Sequence, residues 1–499
     1  MFSKKKIDGM TAEEWFEKGN TLYDQGKYEE AINCYNKALE IDPNYIDAWK
    51  NKGNALSDLG RYEEAINCYN KALEIDPKYV HAWNNKGNAL SNLGRYEEAI
   101  KYYDKALEID PKYVDAWNGK GVALSNLGRY EEAIKYYDKA LEIDPKYVDA
   151  WNGKGVALSN LGRYEEAIKY YDKALEIDPK YAYAWNNKGV ALSDLGRYEE
   201  AIECYDKALE IDPNNVYAWN NKGLALSNLG RYEEAIKYYD KALEIDPKYV
   251  HAWYNKGNAL RKLGRYEEAI ECYNKALEID PKYAYAWYNK GNALYDLGRY
   301  EEAIECYDKA LEIDPKDVDA WNDKGNALYD LGRYEEAIKY YDKALEIDPK
   351  YAYAWYNKGN ALYDLGRYEE AIECYDRALA IDPKDVDAWN NKGVALYKLG
   401  KFLESIICFG KADKKNYILY IIITLIFIQI AWILIFGWNW ILITTINLII
   451  IYIIIKTTYF WIKYWTNKKK IEREIFEMEK RYIIKELKKL IGEYDDEDD

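Results

Sequence analysis

Residues 80–113 read VHAWNNKGNALSNLGRYEEAIKYYDKALEIDPKY, and this stretch decides the fold. Its apolar residues fall at Val80, Trp83, Gly87, Leu90 and Leu93, then at Tyr96, Ala99, Ile100, Tyr103, Ala106, Leu107 and Ile109. Steps of three and four mark two helices, each with one buried stripe. Gly94 lies between them and breaks the first. Asp110-Pro111 closes the second, because the residue before a proline is pushed out of the helical region. The small residues Gly87, Ala99 and Ala106 let the two backbones approach where Trp83 and Tyr103 interlock. Such a hairpin cannot bury its stripe alone, so copies of it must stack.

The same phrase returns every 34 residues. All eleven prolines share one frame, from Pro43 and Pro77 to Pro383, and twelve of the seventeen tryptophans share another, from Trp15 to Trp389. Residues 114–147 and 148–181 are identical at all 34 positions, which points to growth by duplication. A period of this kind predicts helix pairs stacked as a solenoid, with a long concave surface in place of one deep catalytic pocket. The pattern Trp83, Gly87, Ala99, Tyr103, Ala106 and Pro111 resembles the tetratricopeptide repeat. The resemblance covers residues 12–415 as twelve copies, starting at residues 12, 46, 80 and so on to 386, after an N-terminal segment 1–11. It implies an all-α, right-handed superhelix of helix-turn-helix repeats. One departure is systematic. A lysine (Lys18, Lys52, Lys86 through Lys392) precedes the first glycine of every copy, where the family usually has leucine. Its stem is expected to pack between helices while its ammonium reaches water or a glutamate. The twelfth copy drifts, with Lys401-Phe402 for Arg-Tyr and no closing proline.

Composition excludes several classes of function. The seven cysteines, Cys34 to Cys408, all occupy repeat position 23, where tyrosine stands in the other copies. Thiols at least a repeat apart, with no C-x-x-C, make neither a zinc site nor a disulfide framework. They read as small buried side chains in a reducing compartment. The two histidines, His81 and His251, are too few for a catalytic or metal constellation, and no phosphate-loop, nucleophile-elbow or zinc-helix motif occurs. The expectation is a protein that is not an enzyme, with no catalytic, cofactor-binding or metal residues and no small-molecule substrate. A net charge of −16 repels phosphate backbones, so nucleic acid is not an expected partner.

Composition changes after Lys415. Residues 416–455 carry no charge, a run of 40 residues and too long for one membrane crossing. The expectation is a transmembrane hairpin over 416–462: one helix to Phe436, a Gly437-Trp438-Asn439-Trp440 turn, and a second helix to about Ile462, leaving the protein in contact with a lipid bilayer. Lysines flank both ends (Lys411, Lys414 and Lys415; Lys463, Lys468, Lys469 and Lys470), so both termini are expected in the cytoplasm of a protein of the cell membrane. Residues 463–499 read as an amphipathic helix followed by an acidic tail, lying on the membrane, packing on the array or forming a short coiled coil.

In the family that the repeats resemble, the first helix of each copy lines the groove at positions 2, 5, 6, 9, 12 and 13. Carried to copies 8 to 11, this nominates Asn255, Asn258, Asn289, Asn292, Asn326, Asn357 and Asn360 beside Tyr254, Tyr288, Tyr295, Tyr329, Tyr356 and Tyr363. Amides offer both donors and an acceptor to an extended backbone, and tyrosines offer flat contact area. Nearby Asp296, Asp330 and Asp364 favour neutral or basic segments. The competing reading is that these asparagines are ordinary solvated surface. The expected function is a membrane-anchored protein–protein interaction scaffold. The alternative is a stoichiometric accessory subunit of a larger membrane assembly for secretion, surface structures or transport.

Overall fold

The computed structural model of the chain describes residues 6–412. Among them are twenty-four α-helices and no β-strand, only an isolated bridge between Ile7 and Met10. The helices alternate in length, as in the copy quoted above, where Val80–Asn92 has 13 residues and Tyr96–Ile109 has 14. The chain forms two compact units, Met1–Pro281 and Lys282–Asp499. Within each, helices pack on their neighbours in sequence.

The turn inside each copy follows from one glycine. Gly94 has φ +75°, its N–H donates to the Ser91 carbonyl at 2.9 Å, and the Arg95 N–H donates to the Leu90 carbonyl at 2.9 Å. That pair of bonds closes the helix end with a left-handed residue that glycine adopts without strain. The second helix opens on Arg95, whose guanidinium pairs with Glu98 at 2.8 and 2.7 Å and with Glu63 of the preceding copy at 3.1 Å. It ends where the Asp110 carboxylate accepts the Lys112 N–H at 2.9 Å, an aspartate turn ahead of the next helix.

Each of the first eleven helix pairs is built around one buried tyrosine. Tyr35, Tyr69, Tyr103 and their counterparts to Tyr375 are at most 2% exposed. Each ring lies over the glycine of its own first helix: a Cβ built on Gly87 would sit 2.6 Å from Tyr103 Cε1. Tryptophan plays a different part from the one expected, because Trp83 is half-buried and stacks on Tyr102, not Tyr103, with centroids 5.7 Å apart. Its indole N–H donates to the Pro77 carbonyl at 2.9 Å. Trp49, Trp117 and Trp151 repeat this bond to Pro43, Pro111 and Pro145, which explains why the two residue types keep one frame.

In eight copies the systematic lysine finds an aspartate of the preceding copy, not the expected glutamate, while Lys86 finds Asn70 at 2.7 Å. Lys120 reaches Asp104 at 2.6 Å and Lys154 reaches Asp138 at 2.5 Å, with each ammonium 4.3 Å above the ring of Tyr136 or Tyr170. Where cysteine replaces that tyrosine, the ammonium lies over tryptophan instead, as with Lys188 at 5.6 Å from Trp185. Burial alone would lower the Lys120 pKa, but its bonds to Asp104 and Tyr136 leave it raised. All seven cysteines are buried and free.

The membrane location is corrected. Among the described residues no helix is long and apolar enough to cross a membrane. At 1.5 Å per residue a 14-residue helix such as Tyr96–Ile109 spans about 21 Å, short of the roughly 30 Å of a bilayer core. The hairpin at 416–462 and the amphipathic helix at 463–499, on which the location and the topology rested, lie outside the described residues.

Candidate functional site

The nominated asparagines at position 9 are first of all partners of the buried tyrosines. Where position 9 is asparagine, the tyrosine ring crosses its own helix pair and delivers its hydroxyl to that amide oxygen. Tyr273 donates to Asn258 at 2.8 Å, Tyr307 to Asn292 at 2.8 Å, Tyr341 to Asn326 at 3.0 Å and Tyr375 to Asn360 at 2.8 Å. Copies with valine at position 9 use the position-12 serine, as in Tyr137 with Ser125 at 3.3 Å and Tyr171 with Ser159 at 3.2 Å. In the last copy Phe409 has no hydroxyl, and position 9 is Val394. A buried hydroxyl without a partner costs about 1–3 kcal/mol, so this pairing is structural.

The position-6 asparagines tie copies together. The Asn255 amide donates to Asn220 at 3.0 Å and that of Asn357 donates to Asn322 at 3.0 Å. Asn391, at the same position of the last copy, donates both to Asn360 at 2.9 Å and to the Tyr356 hydroxyl at 3.0 Å. The Asn289 amide turns back to the Tyr285 carbonyl at 3.1 Å.

Of the nominated residues, Tyr254, Asn255 and Asn258 belong to the first unit and the rest to the second. In the second unit, Tyr295, Asn326, Tyr329, Asn357 and Asn360 meet around a pocket of about 250 Å³ with Asp330 and Tyr341. One repeat further on, Tyr329, Asn360 and Tyr363 meet around a pocket of about 230 Å³ with Asp364, Tyr375, Asn391 and Val394. The seven residues of one lining correspond to the seven of the other by a shift of 34 residues, and the two share Tyr329 and Asn360 as a common wall. The first unit has a pocket in the equivalent place, about 330 Å³, lined by Val156, Ser159, Tyr171, Asn187, Val190 and Asp194 among others. There serine stands for tyrosine and valine for asparagine.

Each pocket of the second unit is built across copies. The Tyr295 hydroxyl donates to Asp330, and that of Tyr329 donates to Asp364. Burial, reinforced by the aspartate, pushes both hydroxyls well above the usual phenol range. Tyr288 donates to Asp323 at 2.7 Å, whose other oxygen accepts from Asn322 at 3.1 Å and Asn326 at 3.2 Å. Burial raises the Asp323 pKa. Asp323 is the one aspartate at position 6, a break in the asparagine row that was visible in the sequence and was not singled out. Also missed were the outward tyrosines at position 2, Tyr285 and Tyr353, 64% and 69% exposed. Their signal was aromatic residues at a groove position of the repeat.

Among the described residues no three His, Cys, Asp or Glu side chains group as metal ligands. Models of the tetratricopeptide repeat match residues 19–60, 53–94, 84–148, 119–182, 182–215, 216–249, 238–271, 257–298, 288–352, 340–373 and 359–400. Two solved structures resemble the chain: yeast Tom70, at 19% identity and TM-score 0.38 over 82% of this chain and 94% of that one, and the Cut9–Hcn1 hetero-tetramer of APC/C, at 18% identity and TM-score 0.40 over 81% and 93%. Among curated proteins, none matches the chain.

Proposed function

The chain belongs to the tetratricopeptide-repeat family, and on that premise we propose that its array is a non-enzymatic scaffold holding partner proteins by extended segments. The segments lie on the face formed by positions 2, 5, 6, 9, 12 and 13 of the first helices. One observation supports this most: the two pockets of the second unit repeat at the spacing of the fold itself, with six of seven lining residues of the same type and Val394 in place of Asn360. A site that repeats with the array suits a ligand that is also a repeating chain, such as a peptide backbone. The asparagine oxygens at position 9 are held by tyrosine hydroxyls. Recognition therefore falls to the amide N–H groups and to the faces of Tyr295, Tyr329 and Tyr363.

Peptides selected from a random display library against the full chain test the reading. Changing Tyr329 and Tyr363 together to serine, the residue found at position 12 of copies 2 to 7, should leave helicity intact and weaken the selected peptides at least ten-fold. Unchanged binding to that variant would place the partner site on another face.

A further inference from the structure

The two pockets of the second unit are equipped for more than a backbone. Each brings one aspartate, Asp330 or Asp364, together with tyrosine rings and amide oxygens, and neither is lined by a lysine or an arginine. Both aspartates are exposed, and each accepts a hydroxyl from the copy before it, which aims a carboxylate beside an aromatic wall. A carboxylate next to tyrosine faces is the surrounding that favours an ammonium or guanidinium, through ion pairing and cation–π attraction.

We propose that these pockets hold two basic side chains of one extended segment, one in each, on either side of Tyr329. The proposal rests on the reading of this face as a peptide site and adds the chemistry and spacing of its ligand. The first helices of the two copies, Val318–Asp330 and Ala352–Asp364, touch each other. Helices in contact lie about 8–10 Å apart. A polyproline II segment advances about 3.1 Å per residue with three residues per turn, so positions i and i+3 face the same way roughly 9.3 Å apart. A β-strand places i and i+2 on one side at only about 6.7 Å. The ligand class is therefore a segment in polyproline II conformation with lysine or arginine at i and i+3.

Fluorescence anisotropy with the full chain and four labelled proline-rich peptides tests this. One peptide carries two lysines three residues apart, one carries them two apart, one has a single lysine and one is neutral. The first should bind at least ten-fold more tightly than the second and third. Asp330→Asn with Asp364→Asn should abolish that advantage and leave the neutral peptide unaffected. Asparagine stands at this position in copies 3, 4, 5 and 7 (Asn92, Asn126, Asn160 and Asn228), so the fold accepts it. Equal affinity for the one-lysine and two-lysine peptides would overturn the proposal. So would a spacing preference that survives the double substitution, because general attraction to a chain of net charge −16 ignores spacing. Binding of the neutral peptide alone would overturn the basic-pair proposal but leave the peptide face standing. Failure of all four peptides to bind would remove both.

Discussion

Gly87 and Tyr103 show how a single residue type is fixed at a repeat position. The ring is 1% exposed, and a methyl on Gly87 would sit 2.6 Å from Cε1 and 2.8 Å from Cδ1. The ring has nowhere to retreat, so Gly87→Ala should destabilise by about 1–3 kcal/mol, the usual cost of overpacking, read from urea midpoints by circular dichroism. Tyr103→Phe keeps the ring and loses only the 2.8 Å bond to Asn88. It should cost about 1 kcal/mol, and combining it with Asn88→Val should recover part of the loss, since copies 4 to 6 carry valine at position 9 beneath the same ring. An Asn88→Val effect independent of Tyr103 would show that the asparagine serves something else. The spacing of Gly87 and Tyr103 was legible in sequence because burial sets a helical period. The bond was not: it joins residues on two helices whose relative rotation no period reports. Asparagine on a first helix therefore read as a surface ladder.

At the level of the element, two glycines of one helix pair are required for different reasons. Gly94 sits at φ +75°, and a methyl added there would meet nothing within 4 Å, so its cost is conformational. Gly94→Ala should destabilise by about 1–2 kcal/mol, and Gly94→Asn by less, because asparagine tolerates the left-handed region. Gly87→Asn should be worse than Gly87→Ala. The reverse order at either site would mean that the turn and the notch have been assigned to the wrong glycines. Neighbouring pairs are joined by the lysine–aspartate bond. With the Lys120 side chain 12% exposed and Asp104 45%, a double-mutant cycle on this pair should give a coupling of about 1 kcal/mol, at the upper end for exposed ion pairs. The sequence announced an unusual lysine in every copy but not its partner, since repeat position 25 of the preceding copy becomes a neighbour only after stacking. The capping box at the first helix was also there to be read: Thr11 and Glu14 exchange bonds of 3.2 and 2.7 Å.

Across the whole molecule the repeated core concentrates groups that must stay protonated. Burial pushes the thiols of Cys68, Cys204, Cys272, Cys306 and Cys374 up to about 11 from an ordinary 9. Burial also lifts the hydroxyls of Tyr137 and Tyr171 to about 12 from an ordinary 10, and those of Tyr103 and Tyr239 further still. A group whose pKa is higher in the folded state than in the unfolded one contributes its full stability below the unfolded value. That contribution drains away as pH climbs toward the folded value. The drain therefore starts near pH 9 with the thiols and steepens above pH 10 with the tyrosines. A pKa raised by about two corresponds to roughly 2–3 kcal/mol for each buried group at the far side of the window. The carboxylates lowered by arginine pairs, such as Glu98 beside Arg95, lie at the surface and provide no comparable acid edge. Urea midpoints should be nearly level from pH 6 to pH 8.5 and fall sharply by pH 10.5. In a solenoid each copy feels only its neighbours, so Tyr137→Phe with Tyr171→Phe should blunt the fall in the first unit and leave the second unit's transition where it was. Equal midpoints at pH 7 and pH 10.5 would mean that these hydroxyls and thiols ionise without opening the fold, and that the buried tyrosines are not the core on which the array depends.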